Sequence, residues 1–212
     1  MSKMGFIFLS LLWAQRFEMA LCGGPQIPAQ LTRSGDYDLR WRGIGFIGGV
    51  YETFWFAKHW GVSVEAQYVW ARFDKGASLS TEVTRFVTSL RLPLISRYQV
   101  PLTGRIRLEL GAGGYAGWLL SAEEDVRGQT MSGMDTTYTV NLFDRTQAGA
   151  EIHRRGGLGL VFTGGVRTRR LGLSLWHDTM LGRVNDPRLS AGRRWYNHTT
   201  LRLCYLLPVR EE

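Results

Sequence analysis

The chain has 212 residues, a formal net charge of +8 and 44% apolar residues, enough for one β domain with a sizeable apolar surface. Its mean hydropathy of −0.13 is too low for a helical membrane protein but ordinary for a transmembrane barrel, where only alternate residues meet lipid. Two cysteines exclude a disulfide-dense scaffold and a four-cysteine zinc site. The basic residues are spread through nearly every segment without a basic helix or a nucleic-acid module, so no nucleic-acid partner is expected.

Residues 1–15 have the layout of a secretory signal peptide, with Lys3 as the basic region, an apolar core over 4–13 and then Ala14. The core is too short to span a bilayer. The remainder, 16–212, reads as one β-barrel domain.

The first strand is predicted over 16–24, with Phe17, Met19 and Leu21 on one face and Glu18, Ala20 and Cys22 on the other. Residues 25–42 contain Pro25, Pro28 and a turn-like Ser34-Gly35-Asp36, and read as a long loop. The second strand spans 44–56 and a very short link, 57–59, leads to the third at 60–72. There Val62, Val64, Ala66, Tyr68 and Trp70 oppose Ser63, Glu65 and Gln67. A loop at 73–80 precedes the fourth strand, 81–95, in which Pro93 is expected to mark a bulge or the strand's end. After a turn at 96–103, the fifth strand at 104–120 puts Ile106, Leu108, Leu110, Trp118 and Leu120 on one parity and Arg105, Arg107, Glu109 and Tyr115 on the other.

The segment 121–155 is the longest connection. It begins acidic, carries β-like pieces at 136–141 and 146–152, and reads as an external loop with its own hairpin or as tall extensions of the flanking strands. The sixth strand covers 156–167 and the seventh 171–181. A polar loop follows over 182–194 and the eighth strand covers 195–207.

Connections after odd strands are medium to long, and those after even strands are shorter. That alternation is the rule for outer-membrane barrels, with long loops outside and short turns in the periplasm. Aromatics gather near strand ends: Trp55, Phe56, Trp60, Tyr98 and Tyr205 by the short turns, and Trp41, Trp70, Phe73, Trp118, Trp195 and Tyr196 by the long loops. Two such girdles suit a bilayer with two interfaces. The expected fold is all-β, an eight-stranded antiparallel up-and-down transmembrane β-barrel with a filled lumen, in the bacterial outer membrane.

A barrel of eight strands is only wide enough for side chains to fill it, and buried charges need partners. The inward parity therefore predicts a lumen charge network of Glu65, Gln67, Arg85, Arg91, Arg105, Arg107 and Glu109, joined by Glu18 and Arg202 where the first and last strands meet. Cys22 and Cys204 fall on adjacent strands. A disulfide between them fits the oxidising periplasm but needs a register that sequence does not give; two buried thiols are the favoured reading and the bond stays open.

Several segments resemble the PorT-like outer-membrane β-barrel domain of Bacteroidetes, a relative of the OmpA-like small barrels. They are Leu92-Pro93-Leu94, the glycine-rich LGAGGYAG at 110–117, Phe143-Asp144, Gly164-Gly165-Val166, the stretch 171–175, LGRVN at 181–185, and Asn197 with 200–205. The terminal strand departs from the pattern by ending in Pro208, Val209 and a charged tail. The resemblance implies a non-enzymatic outer-membrane protein, with some members linked to type IX secretion.

No catalytic residue, metal site or cofactor is expected. His59, His153, His177 and His198 lack metal spacing. Ser174 and His177, three apart on one strand, face opposite sides and cannot pair as a hydrolase would require. Lipid and lipopolysaccharide are the expected surroundings, with a protein partner at the external loops or the periplasmic side. The competing readings are an outer-membrane lipid-modifying enzyme and a soluble lipocalin-like carrier.

Overall fold

The structure is a computed structural model and describes residues 16–34, 37–78, 81–129, 135–144, 155–181 and 193–208. The signal-like stretch 1–15, the β-like piece at 146–152 and most of the loop 182–194 lie outside the described residues. The described residues form nine strands: β1 (Arg16–Ser34), β2 (Tyr37–Trp55), β3 (Trp60–Ser78), β4 (Thr81–Pro101), β5 (Arg107–Gln129), β6 (Asp135–Asn141), β7 (Gly156–Arg167), β8 (Leu171–Leu181) and β9 (Arg193–Leu206). Eight of them close an antiparallel ring, β1-β2-β3-β4-β5-β7-β8-β9, with β9 returning to β1. β6 stands outside the ring and pairs with the upper part of β5.

Strict alternation along each ring strand separates two environments. Inward positions are buried, while outward apolar side chains stay open: Leu92 is 60% exposed, Leu203 58%, Leu175 57% and Phe162 54%. Every ring strand contributes to this outer face, which is far larger than the apolar patches a soluble monomer presents. Burial therefore comes from lipid on one side and from lumen packing on the other.

Several strands are longer than the sequence reading. Residues 25–34 and 37–42 are not a loop but the upper parts of β1 and β2, paired from Gln26↔Gly45 to Ser34↔Tyr37. The prolines are accommodated because each interrupts one ladder and leaves the other intact. The β1–β9 pairing skips from Gly23↔Leu203 to Gln26↔Thr200, across Pro25. The β1–β2 pairing skips from Gln26↔Gly45 to Ala29↔Arg42, across Pro28. Pro93 likewise neither ends β4 nor bulges it. The β3–β4 pairing steps from Val64↔Leu94 to Gln67↔Arg91, while the β4–β5 pairing runs through Pro93↔Tyr115. In each case the ladder missing a donor is the one that breaks.

The bulge lies on β5 instead. Thr88 pairs with Ser121 and Ser89 with Leu119, so Leu120 is an extra residue. An extra residue reverses the alternation beyond it. Below Leu120 the odd positions face inward; above it Ala122 is fully buried and Glu124 turns inward, whereas Glu123 is exposed.

Two further expectations are corrected. Trp41, Trp55, Phe73 and Tyr196 are not girdle residues: all four are buried inside, on the inward parity of β2, β3 and β9. Trp60, Tyr98 and Trp118 do remain at the outer surface, with the Trp60 and Tyr98 rings 4.7 Å apart. The cysteines are not free thiols. Cys22 faces Cys204 in register across the β1–β9 seam and the two form a disulfide.

Candidate functional site: the filled lumen

The lumen is filled in three tiers, and the same construction recurs in each. The lowest tier sits toward the short turns 56–59, 102–106 and 168–170. Here carboxylates and guanidiniums alternate. The Glu18 carboxylate accepts from Arg167 Nη2 at 2.6 and 2.7 Å and from the Trp55 indole at 2.7 Å. Arg167 Nη1 reaches Glu109 at 3.3 Å. Glu109 also accepts from Arg97, whose Nη2 donates to Glu65 Oε1 at 2.6 Å. Glu65 Oε2 then accepts from Arg202 at 3.0 Å and Gln67 at 2.7 Å. The order Glu18, Arg167, Glu109, Arg97, Glu65, Arg202 makes a ladder of three acids and three bases drawn from β1, β7, β5, β4, β3 and β9. A void of about 20 Å³ beside Arg97 and Glu109 leaves room for little more than one water.

The middle tier joins β4, β8 and β9. Arg91 Nη1 donates to Asp178 Oδ2 at 2.7 Å, and His198 Nδ1 lies 2.9 Å from the same oxygen. Arg91 Nη2 is 3.1 and 3.3 Å from the two ring nitrogens of His198. Beside it Tyr115 crosses toward β7, where Gly159 makes room: a Cβ there would lie 2.1 Å from the Tyr115 ring. In the upper tier Arg85 donates to Gln30 and to Glu124, the latter from Nε at 3.1 Å. The Leu120 bulge is what brings Glu124, rather than Glu123, to this arginine.

Each of these five arginines also lies against a ring: Arg85 over Trp41 at 4.4 Å, Arg91 over Tyr115 at 5.2 Å, Arg97 over Tyr51 at 4.6 Å, Arg167 over Trp55 at 5.6 Å and Arg202 over Trp176 at 4.3 Å. A guanidinium is planar and weakly hydrated, so it can stack on one face and bond a carboxylate at its edge. Lysine would not serve both contacts as well.

Around the upper tier, and between it and the middle tier, the lumen is closed by apolar packing. Trp41, Phe73, Val83, Val87, Leu119, Met180 and Tyr196 surround Leu142 and Phe143, which follow β6. The Leu142 amide donates to the Ala122 carbonyl at 2.8 Å, and Asn141 Oδ1 accepts from the Phe143 amide at 3.0 Å. This tight turn drives both side chains down into the barrel. Arg155 lies 4.4 Å over the Phe143 ring.

Of the residues expected to form one network, Glu18, Glu65, Gln67, Glu109 and Arg202 meet in the lower tier. Arg91 lies in the middle tier and Arg85 in the upper. Arg107 stands at the mouth and donates to Gln99 at 3.2 Å. Arg105 is not in the lumen. β5 begins only at Arg107, and Thr103 Oγ1 accepts from the Arg105 and Ile106 amides in a turn that leaves Arg105 exposed.

The sequence reading omitted Arg97, Arg167, Asp178, His198, Gln30, Glu124, Trp41 and Trp55 from the network. Arg97 shares the parity of Arg85 and Arg91 and was legible once β4 continued past Pro93. Arg167 and Asp178 carry the inward parity of Val161 and Trp176. Glu124 had no sequence signal, because only the bulge turns it inward.

Among the described residues the lumen holds no nucleophile paired with a histidine. Ser174 faces inward, while His177 faces out and contacts Thr199 Oγ1 at 3.0 Å. The buried Asp178–His198 pair meets a guanidinium where a nucleophile would stand. Among the described residues no group of three or more His, Cys, Asp or Glu could hold a metal ion.

A closed eight-strand ring with an apolar exterior and an ion-paired interior matches a known family model, described as the outer membrane protein beta-barrel domain, over residues 13–181. The chain belongs to this family. It is therefore a protein of the bacterial outer membrane, and its short-turn end faces the periplasm. Among solved structures it is similar to the outer membrane protein OprG from Pseudomonas aeruginosa, with a TM-score of 0.50, 13% identity, and coverage of 92% of this chain and 98% of that one. It is also similar to Ail of Yersinia pestis, solved with the heparin analogue sucrose octasulfate (TM-score 0.43, 11% identity, 91% and 99% coverage). Neisserial surface protein A gives a TM-score of 0.42 at 12% identity, with 91% and 98% coverage. At these identities the likeness is one of fold. No curated protein matches the chain.

Proposed function

We propose that this family member is a closed, non-enzymatic barrel that acts through its external wall, as a structural element of the outer membrane or by binding a partner there. The observation that carries the reading is the occupied lumen: ion pairs fill it from the periplasmic end to Arg85, and Leu142 and Phe143 pack into it between the Arg91 and Arg85 tiers. Among the described residues of the outer end, the wall formed by the top of β5 and by β6 stays open, with Thr136, Thr137, Tyr138 and Thr139 exposed. In this reading the charge network is structural filling, and lipid and lipopolysaccharide are the surroundings of the outward face.

Closer kinship with PorT-like barrels, and with it a place in protein secretion, rests on the sequence segments named above, among them the glycine-rich 110–117 and the Leu92-Pro93-Leu94 step. Planar-bilayer recording tests the closed lumen: purified protein is expected to give no steady ion conductance, and a steady conductance contradicts the reading. Lipid A mass spectrometry with and without expression tests the enzymatic alternative. An unchanged profile is expected, and altered acylation would overturn the non-enzymatic assignment.

A further inference from the structure

Below the ladder, the periplasmic mouth widens into a cleft of about 1110 Å³. Its walls carry Arg16, Arg105, Arg107, Arg167, Arg169 and Arg170. Among the described residues lining it, Glu18 is the one carboxylate, and that group is already engaged by Arg16, Arg167 and Trp55. Arg105 stands on the turn 102–106 and Arg169 and Arg170 on the turn 168–170, all three exposed. None of these three pairs with an acid among the described residues. A neighbouring cleft of about 390 Å³ shares Arg16 and Arg107 and adds Lys58 and His59.

What sets the mouth apart is the shortage of acids beside its arginines. At the opposite end exposed Glu82, Glu123, Asp135 and Asp144 are interspersed with exposed Arg42, Arg127 and Arg155. Crowding cations around one mouth disfavours the folded state by self-repulsion and concentrates anions there.

We propose that the periplasmic mouth binds a multivalent oxyanion, a ligand bearing two or more phosphate or carboxylate groups. Guanidinium forks match the geometry of both groups. The inward-facing Glu18, Arg107 and Arg167 line the cleft, so the ligand enters along the barrel axis from the periplasm. The site is separate from the external wall and does not depend on the function assigned to it.

The test uses purified barrel in non-ionic detergent, titrated calorimetrically with tripolyphosphate and with citrate. The comparison is the variant Arg105→Gln/Arg169→Gln/Arg170→Gln, whose changes lie on turns outside the ladder. Saturable binding that weakens with salt is expected, together with a loss of about tenfold or more in the variant. Unchanged heat-modifiable mobility shows that the variant still folds. Nanodiscs separate two sources of the phosphate chemistry. If tripolyphosphate binds in zwitterionic discs but not in discs rich in phosphatidylglycerol, the lipid headgroup is the natural occupant. If it binds in both, the ligand is soluble. Absence of saturable binding in both detergent and zwitterionic discs overturns the proposal, as does equal affinity in the variant.

Discussion

Glu65 holds two arginines at once in the middle of the ladder and gives the sharpest test of how the ladder contributes. It is 1% exposed, lies 2.6 Å from Arg97 and 3.0 Å from Arg202, and also accepts from Gln67. Glu65→Gln keeps the shape and one acceptor but removes the charge. At an effective dielectric of about 20, each lost pair represents roughly 4 kcal/mol of attraction. Part of that returns because a neutral amide costs less to bury. Breaking a buried pair from one side typically leaves a net loss of about 3–5 kcal/mol, and that is the expected destabilisation. Adding Arg202→Met removes one of the two stranded cations, so the double variant should recover about 1–3 kcal/mol relative to additivity. Urea unfolding of barrel refolded into lipid vesicles, followed by tryptophan fluorescence, reads both values. A Glu65→Gln shift within about 0.5 kcal/mol, or strictly additive behaviour of the pair, would show that the ladder is loosely hydrated and that the reasoning fails.

Four other outcomes follow from the same contacts. Gly159→Ala is expected to cost about 1–3 kcal/mol by overpacking against the Tyr115 ring, and Tyr115→Ala in the same chain should restore part of the loss in the same unfolding assay. Leu92→Arg, halfway along β4 on the lipid face, should destabilise by about 2–4 kcal/mol, with a smaller cost for Ser96→Arg nearer the strand's end. Reduction, or Cys22→Ser with Cys204→Ser, should lower stability by about 2–5 kcal/mol without loss of the β spectrum by circular dichroism. Leu142→Gly/Phe143→Gly removes the apolar plug beside the upper tier, yet planar bilayers should stay silent because the three charged tiers remain; steady conductance from this variant would place the block in the plug alone.

The ring of eight was legible because period-two alternation survives in every wall strand, and strands over 156–167 and 171–181 have the bounds their patterns suggest. Proline and turn residues misled at 25–42. Local chemistry marked a break, but a strand with two neighbours can lose a donor on one side and stay paired on the other. The same reasoning placed Arg97 in a turn when it belongs to β4. For the lumen, parity sufficed where a residue fell inside the strand as drawn, as for Glu65 and Arg91. It failed where the backbone changes phase. One added residue at Leu120 decides between Glu123 and Glu124, and nothing in the composition of 119–124 marks which residue is extra. The Cys22–Cys204 bond needed cross-strand register, which no single-strand pattern contains. The segment 136–141 was legible as β-like, but its pairing to β5 outside the ring was not.

The bond between Cys22 and Cys204 joins positions 182 apart in sequence, so the polypeptide between them is a covalent circle. Boiling in detergent strips every ladder from this barrel but cannot linearise it. A circle is more compact than an open chain of equal length and should migrate faster in a denaturing gel. Unreduced samples will therefore show a narrower gap between heated and unheated bands than reduced ones, and folding scored by that gap alone will read differently according to whether thiol was added.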